Sequence, residues 1–248
     1  LHNLVLLLFG IFFFMFFFFR KEKKKKYLFY LIGIFLFLLI GFILAKNNED
    51  FPYYHLPNSI QFFQQKIQFG LGNVNHGFKH ISSIFLLNSI FIYPKINFYL
   101  INIPNFFFLI FSTYYFIYEI FLKNNLPPIK IYSLFSLILL LTKFSRLAEY
   151  GTDLFGQILI MIVVLETLKI IFEKKFIFDK IKYDFLLISL LLVFAITTKV
   201  YFLLYIILPL TIFFFISKKV DLVKFFFKPT NLFFLSIPLI FLISFNFV

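Results

Sequence analysis

The sequence predicts an all-α fold, a polytopic transmembrane helical bundle with juxtamembrane helices in its first external loop. Hydrophobic residues make up 62% of the 248 residues and charged residues only 14%, whereas soluble domains hold about 45–50% and about 25%. Apolar runs recur at close to the roughly 20 residues that cross a bilayer, and most charges lie between the runs. This composition excludes a soluble enzyme, a disordered chain and a coiled coil, and the absence of cysteine excludes a disulfide scaffold.

The first two predicted spans are Leu1–Phe19 and Tyr27–Ala45. Between them, Arg20–Lys26 holds six basic residues in seven, which places this segment on the cytoplasmic side. The first run is not a signal peptide, because its positive end follows the apolar stretch. Since the chain begins at Leu1 and Val248 lies inside an apolar run, we expect the sequence to be a fragment of one transmembrane domain covering 1–248.

The second span leads into a predicted external loop, 46–96, that carries two surface helices. Pro57–Phe69 is amphipathic, with Ile60 and Phe63 on one face and glutamines on the other, and is expected to lie on the membrane. Phe78–Tyr93 is an apolar run of 16 residues, about 24 Å as a helix and short of a hydrocarbon core of about 30 Å. We expect it not to cross, because most of the 24 basic residues then face the cytoplasm.

The remaining predicted spans are Asn97–Leu122, Ile131–Thr142, Asp153–Phe172, Asp184–Thr198, Tyr201–Ser217 and Asn231–Val248. The net charge of +13 is explained by the lysines that flank these spans, so we expect no nucleic-acid partner.

Polar residues gather in three clusters, all on the predicted external side. They are Glu49–Asp50 with Tyr54 and His55, then His76, Lys79 and His80, then Arg146 with Glu149, Tyr150 and Asp153. Polar groups are costly near a bilayer, so their clustering indicates a functional site.

Each cluster also has a simpler interpretation. Glu49 and Asp50 are either solvated loop residues or a general base or metal-binding carboxylate. His76 and His80, four apart, share a helix face, but phosphate-facing histidines are favoured over a metal pair because the HExxH pattern is absent.

Charges near the ends of the spans have simpler interpretations too. Asp153 is expected to pair with Arg146 or cap its helix. Lys199 either snorkels or binds an anionic ligand. Glu119 with Lys123, and Glu166 with Lys169, are predicted to be local pairs or snorkelling groups.

This arrangement resembles the type C glycosyltransferase superfamily, which includes protein mannosyltransferases and the aminoarabinose transferase of lipid A. Glu49–Asp50 is similar to the acidic motif of their first external loop, Arg146 to Asp153 to the second loop, and Thr198–Lys199 to a basic position near a later span end. The elements Tyr54–Pro57 and Gly70–Phe78 resemble a branch of uncharacterised bacterial membrane proteins. The resemblance covers about Tyr27–Val248.

The resemblance implies an inverting transfer of a sugar from a polyprenyl-phosphate carrier to a lipid, glycan or protein acceptor, at the external face of the bacterial inner membrane. Asp50 would be the general base, with Glu49 as the alternative. Asp153 would orient substrate, or hold a divalent metal with Asp50 if one is required. The candidate substrate and phosphate contacts are His55, His76, Lys79, His80, Arg146, Asp153 and Lys199.

Two other functions remain open from the sequence. A glycolipid transporter or flippase would need polar groups at mid-membrane, beside broken helices. A non-catalytic membrane assembly protein would not need the first and second external loops to share a cleft.

Overall fold

The structure is a computed structural model that describes residues 5, 8–12, 16, 25–44, 49–64, 73, 76–79, 82–92, 100–144, 152–174, 176–216, 218–233, 236 and 240. These residues are almost entirely helical and include no strand. Most of the predicted span Leu1–Phe19 and the end of Asn231–Val248 lie outside them.

Nine α-helices of seven residues or more fall within the described residues. They are α1 Lys25–Ile43, α2 Leu56–Gln64, α3 Ser83–Ser89, α4 Ile103–Ile117, α5 Pro127–Lys143, α6 Thr152–Lys169, α7 Phe178–Thr198, α8 Ile207–Phe215 and α9 Lys219–Phe226. Short π-helical turns precede α2 and extend α4 and α6, and 3₁₀ segments occupy His76–Lys79 and Val200–Ile206.

Within the described residues, three helices are long and apolar enough to cross a membrane. They are Ile103–Leu122, Thr152–Glu173 and Phe178–Thr198. The all-helical prediction is therefore confirmed for this part of the chain, whereas the eight-span bundle stays a prediction. The last helix begins six residues before the predicted Asp184, because charges at its start pair along the helix, with Lys182 Nζ lying 3.5 Å from Asp179 Oδ1.

Helices α1 and α4 pack antiparallel. Phe42, near the end of α1, lies 4.8 Å from Phe106 at the start of α4 between ring centroids, and Tyr27 lies 6.1 Å from Tyr118. The segment that connects the two helices therefore begins and ends at the same end of the bundle. We call it the loop end, and the opposite end, where Lys123 follows α4, the lysine end.

The helices of the predicted external loop are short. Helix α3 has seven residues, about 10 Å of helix, which is too short to cross a bilayer. The helical run around α2 begins earlier than Pro57, since a π-helical turn at Phe51–His55 continues directly into it. Its apolar face packs on protein, with Ile60 and Phe63 against a small core that includes Phe51.

The core is centred on α6, which packs between α4 and α5 on one side and α7 on the other. Ile158 of α6 joins Leu109 and Leu140 in one buried cluster. Leu159 and Val163, on its other face, belong to the cluster around Ile188 of α7. In an apolar environment such contacts stabilise helix pairs through close packing.

The acidic and basic residues at the lysine end of α4 and α6 form one buried cluster, which extends the predicted local pairs. Lys169 Nζ contacts Glu166 Oε1 of its own helix at 2.8 Å and Glu119 Oε1 of the neighbouring helix at 2.7 Å. Tyr115 donates a hydrogen bond to Glu166, and Asn125 Nδ2 donates to Glu119 Oε2 at 2.6 Å. Lys169 is only 3% exposed, so of the two predicted alternatives the local pair with Glu166 is the one that applies.

Candidate functional site

The first acidic element of the site is a hydrogen-bonded pair at the start of the helical run before α2. Asp50 and Tyr54 are four residues apart, and the Tyr54 hydroxyl donates to Asp50 Oδ2 at 3.2 Å. Asp50 is exposed, whereas Tyr54 is half-buried. The Tyr54 ring lies edge-on to Phe85 of α3 with 6.2 Å between centroids. A solvent-accessible carboxylate is thus oriented by a phenol that the neighbouring helix holds in place.

The second acidic element joins two helices at the loop end. Asp153 is the second residue of α6, so it lies within the first turn and not at the predicted cap position. Lys199 directly follows α7, and its Nζ lies 3.3 Å from Asp153 Oδ1. The Asp153 side chain is 61% exposed and that of Lys199 27%. The pair therefore opens to the surroundings and is accessible to a substrate.

A close helix contact brings Asp153 and Lys199 together. Gly156 lies one turn after Asp153, and an ideal Cβ there would be 2.5 Å from Thr198 Oγ1 and would overlap the ring of Phe202. Phe202 is buried. The missing side chain thus lets α6 approach the end of α7 and the 3₁₀ segment after it, and this approach places the ammonium group beside the carboxylate.

The two acidic elements meet on α3, since Tyr54 packs against Phe85 and Ser83 is hydrogen-bonded to Thr197, two residues before Lys199. The pKa of Tyr54 is raised to about 12. Burial is the largest cause, followed by the charge of Asp50 and its hydrogen bond, and then by the charge of Asp153. Both carboxylates therefore act on the same phenol, although they are far apart in sequence. We call Asp50, Tyr54, Asp153 and Lys199 the acidic cluster. Three of its four members were predicted as site residues, whereas Tyr54 was noted only as a neighbour.

Asn58 attaches the second predicted polar cluster to the first. Its Nδ2 donates to the Tyr54 carbonyl at 2.8 Å and to the Gly77 carbonyl at 3.3 Å. The 3₁₀ segment that contains His76 and Lys79 is thereby held against the turn that carries Tyr54, and both side chains are exposed. Asn58 itself is buried. It was not among the predicted site residues.

His55 and Glu49 take different positions. His55 is 3% exposed, and its ring lies 4.4 Å from that of Tyr54 and 5.2 Å from that of Phe85 between centroids. This burial favours a packing role for His55 over direct contact with substrate. Glu49 is exposed beside Asp50. His80 and Arg146 lie outside the described residues.

An apolar groove adjoins the acidic cluster. It has a volume of about 360 Å³ and runs between α3, α6 and α7. Its walls are mainly apolar and are formed by residues such as Ile84, Leu87, Phe155, Leu159 and Phe194. Its polar margin contains Ser83 and Thr197, which are joined by a hydrogen bond of 2.9 Å between their hydroxyl oxygens.

Residues of the groove lie within one helical turn of the charged pair on both α6 and α7. Phe155 comes two residues after Asp153, and Thr197 comes two residues before Lys199. A molecule with an anionic head and an apolar tail matches this combination of a cation with an apolar surface.

The described donors do not make a metal site. Among the residues that the structure describes, no three histidine, aspartate or glutamate side chains are grouped so that they could hold a metal ion. Asp153 instead lies beside the ammonium group of Lys199. Lys199 thus contributes one positive charge to this site.

No protein-family model, curated protein or solved structure matches the chain.

Proposed function

We propose that the chain is a membrane glycosyltransferase that moves a sugar from a polyprenyl-phosphate carrier to an acceptor hydroxyl. One observation carries the proposal, namely that the acidic cluster adjoins an apolar groove at one end of helices long enough to span a membrane. A soluble substrate would not need the groove. The distribution of lysines supports an external, periplasmic position for this end in the bacterial inner membrane.

Asp50 is the proposed general base. Its carboxylate takes the proton of the acceptor hydroxyl while the hydroxyl oxygen forms a bond to the anomeric carbon of the sugar. The bond from that carbon to the phosphate oxygen breaks in the same step, so the anomeric configuration inverts. Because the pKa of Tyr54 is about 12, its phenol stays protonated at neutral pH and keeps donating to Asp50.

Lys199 is the proposed partner of the leaving phosphate. Charge that develops on the phosphate oxygen is stabilised by a positioned cation, and the ammonium group is already held by Asp153 at 3.3 Å. His76, Lys79, His80 and Arg146 are further proposed phosphate contacts. The polyprenyl chain would lie along the groove between α3, α6 and α7, where its surroundings are apolar.

The proposal is tested by reconstituting the purified chain in liposomes with a panel of undecaprenyl-phosphate-linked sugars and a panel of lipid, glycan and peptide acceptors, and following release of the carrier phosphate. We expect Asp50→Asn to reduce release at least 100-fold, which is the usual contribution of a general base. Asp221→Asn, an exposed carboxylate at the lysine end, is the matched control and should keep full activity.

Three outcomes decide the assignment, provided that Asp50→Asn unfolds at the same temperature as the parent chain. Loss of activity in Glu49→Gln but not in Asp50→Asn transfers the role to Glu49. Full activity in both variants overturns the proposed mechanism. Movement of intact donor to the opposite leaflet, without release of carrier phosphate, identifies the chain as a transporter instead.

A further inference from the structure

Helix α9 carries an exposed apolar stripe at the lysine end. Val220 is 66% exposed, Val223 41% and Phe227, directly after the helix, 69%. These residues are three and four apart, so they lie on one face of the helix. The opposite face packs on the bundle, with Phe225 lying 5.4 Å from Tyr183 and Phe226 lying 5.2 Å from Phe185 between ring centroids. The stripe therefore points away from the protein.

Lysines border the stripe on both sides. At 100° per residue, Lys224 and Lys228 follow one edge of the stripe and Lys219 follows the other, and all three are exposed. The ammonium groups of two of them lie over aromatic rings, with Lys219 Nζ 6.0 Å from the Phe214 ring centroid and Lys228 Nζ 5.9 Å from that of Phe225. An apolar stripe between two basic edges is the pattern of a helix that lies in the plane of an anionic bilayer surface.

A cavity at the start of α9 has the same chemistry. Its volume is about 570 Å³, and it is lined by Lys218, Lys219, Val220, Asp221, Phe214 and Ile216. Two ammonium groups against one carboxylate give it a net positive charge, while its other walls are apolar. Such a cavity fits the phosphate of a lipid whose acyl chains continue along the apolar side.

We propose that α9 is an in-plane helix that binds anionic phospholipid, with Val220, Val223 and Phe227 in the acyl region and the flanking lysines on the phosphates. The surface is separate from the acidic cluster, since α9 packs beside the start of α7 and Lys199 follows its end. It anchors the lysine end to the membrane independently of any chemistry at the loop end.

The absence of cysteine allows the helix to be probed residue by residue. Val220→Cys and Val223→Cys are labelled with an environment-sensitive fluorophore in nanodiscs of phosphatidylcholine and phosphatidylglycerol, and doxyl-labelled lipid is added as quencher. We expect a blue-shifted emission that the doxyl lipid quenches at both positions. Asp179→Cys, an exposed position at the same end of the bundle but outside α9 and its cavity, should show neither effect.

Charge is tested by the amount of phosphatidylglycerol that stays bound in mixed micelles. We expect Lys224→Gln with Lys228→Gln to weaken retention about fivefold for each lysine, since each cation near an anionic surface contributes about 1 kcal/mol. Lys130→Gln with Lys180→Gln removes the same charge at the same end away from the stripe and should have a smaller effect. Equal quenching at all three labelled positions, or unchanged retention in the first double variant, overturns the proposal. A blue-shifted label that lipid does not quench also overturns it, because another protein surface then covers the stripe.

Discussion

Lys169 Nζ lies 2.7 Å from Glu119 Oε1, and both side chains are only 4% exposed. The contact joins two candidate spans through charges that are removed from water. Glu166 and Tyr115 complete the surroundings of the ammonium group, with Lys169 Nζ lying 3.0 Å from the Tyr115 hydroxyl. A charge buried in this way is tolerated because its partners surround it, and removal of one partner leaves the others uncompensated.

Lys169→Met should therefore destabilise the chain by about 3–5 kcal/mol, since it leaves two buried carboxylates with only the partly exposed Lys123, 3.7 Å from Glu119 Oε2, as a cation. The measurement is the free energy of unfolding in detergent micelles. Lys182→Met is the control, because its partner Asp179 is 70% exposed and such a pair contributes less than about 1 kcal/mol. Adding Glu119→Gln and Glu166→Gln to Lys169→Met should recover much of the loss. Equal stability of the two single variants would contradict the structural role of the cluster.

The sequence could predict the pairs along a helix but not the pair across helices. Glu166 and Lys169 are three apart, and this spacing alone makes them neighbours. The contact between Lys169 and Glu119 depends on how α4 and α6 are rotated against each other, and side-chain packing along their whole length decides that rotation. The apolar pattern of α6 gives little guidance, because buried residues occur on both of its faces.

The site was predictable to a similar extent. The carboxylates of Asp50 and Asp153 were expected at the same end, because two predicted membrane spans separate them and two crossings return the chain to the side where it started. The contacts of Asp50 with Tyr54 and of Asp153 with Lys199 could be found only from the structure, since they depend on a π-helical turn and on a close contact at a glycine. A glycine in an apolar run has many explanations, and the facing Thr198 and Phe202 identify the one that applies to Gly156.

Tyr54 should titrate well above the usual range of a tyrosine. Its pKa is raised from 10.0 to about 12 by burial and by Asp50. The same tyrosine loses its proton near pH 10 in an unfolded chain. The contribution of the protonated Tyr54 phenol to the free energy of unfolding is therefore complete below about pH 10 and is lost as the pH rises to about 12. The check is the ¹³Cζ resonance of labelled tyrosine, assigned with Tyr54→Phe. Asp50→Asn should lower the midpoint, and Asp221→Asn should leave it unchanged. An unaltered midpoint in Asp50→Asn would argue against the hydrogen bond.

Asn58→Leu should release the segment that carries His76 and Lys79. The substitution removes the two hydrogen bonds that Asn58 Nδ2 donates to the carbonyls of Tyr54 and Gly77. Two neutral bonds contribute about 1 kcal/mol each, so tryptic cleavage after Lys79, which requires local opening, should become about tenfold faster or more. The measurement is the rate at which peptides ending at Lys79 form, followed by mass spectrometry. Gln64→Leu, an exposed change on the same helix, should cleave at the parent rate. Equal rates in both variants would show that Asn58 does not hold the segment.

Gly156→Ala should separate Asp153 from Lys199 and thereby disable the acidic cluster. A Cβ there would overlap Phe202 and lie 2.5 Å from Thr198 Oγ1, so α6 and the end of α7 must move apart, at a cost of about 1–3 kcal/mol in unfolding free energy. Gly33→Ala is the control, because a Cβ at Gly33 meets nothing within 4 Å. We expect Gly33→Ala to keep parental stability or gain up to about 1 kcal/mol from helix propensity.

The charged pair is monitored by the ¹⁵Nζ chemical shift of labelled Lys199. Adding Asp153→Asn should change this chemical shift in the Gly33→Ala variant but not in the Gly156→Ala variant. If the chemical shift still changes in Gly156→Ala, then the close contact at Gly156 does not position the pair.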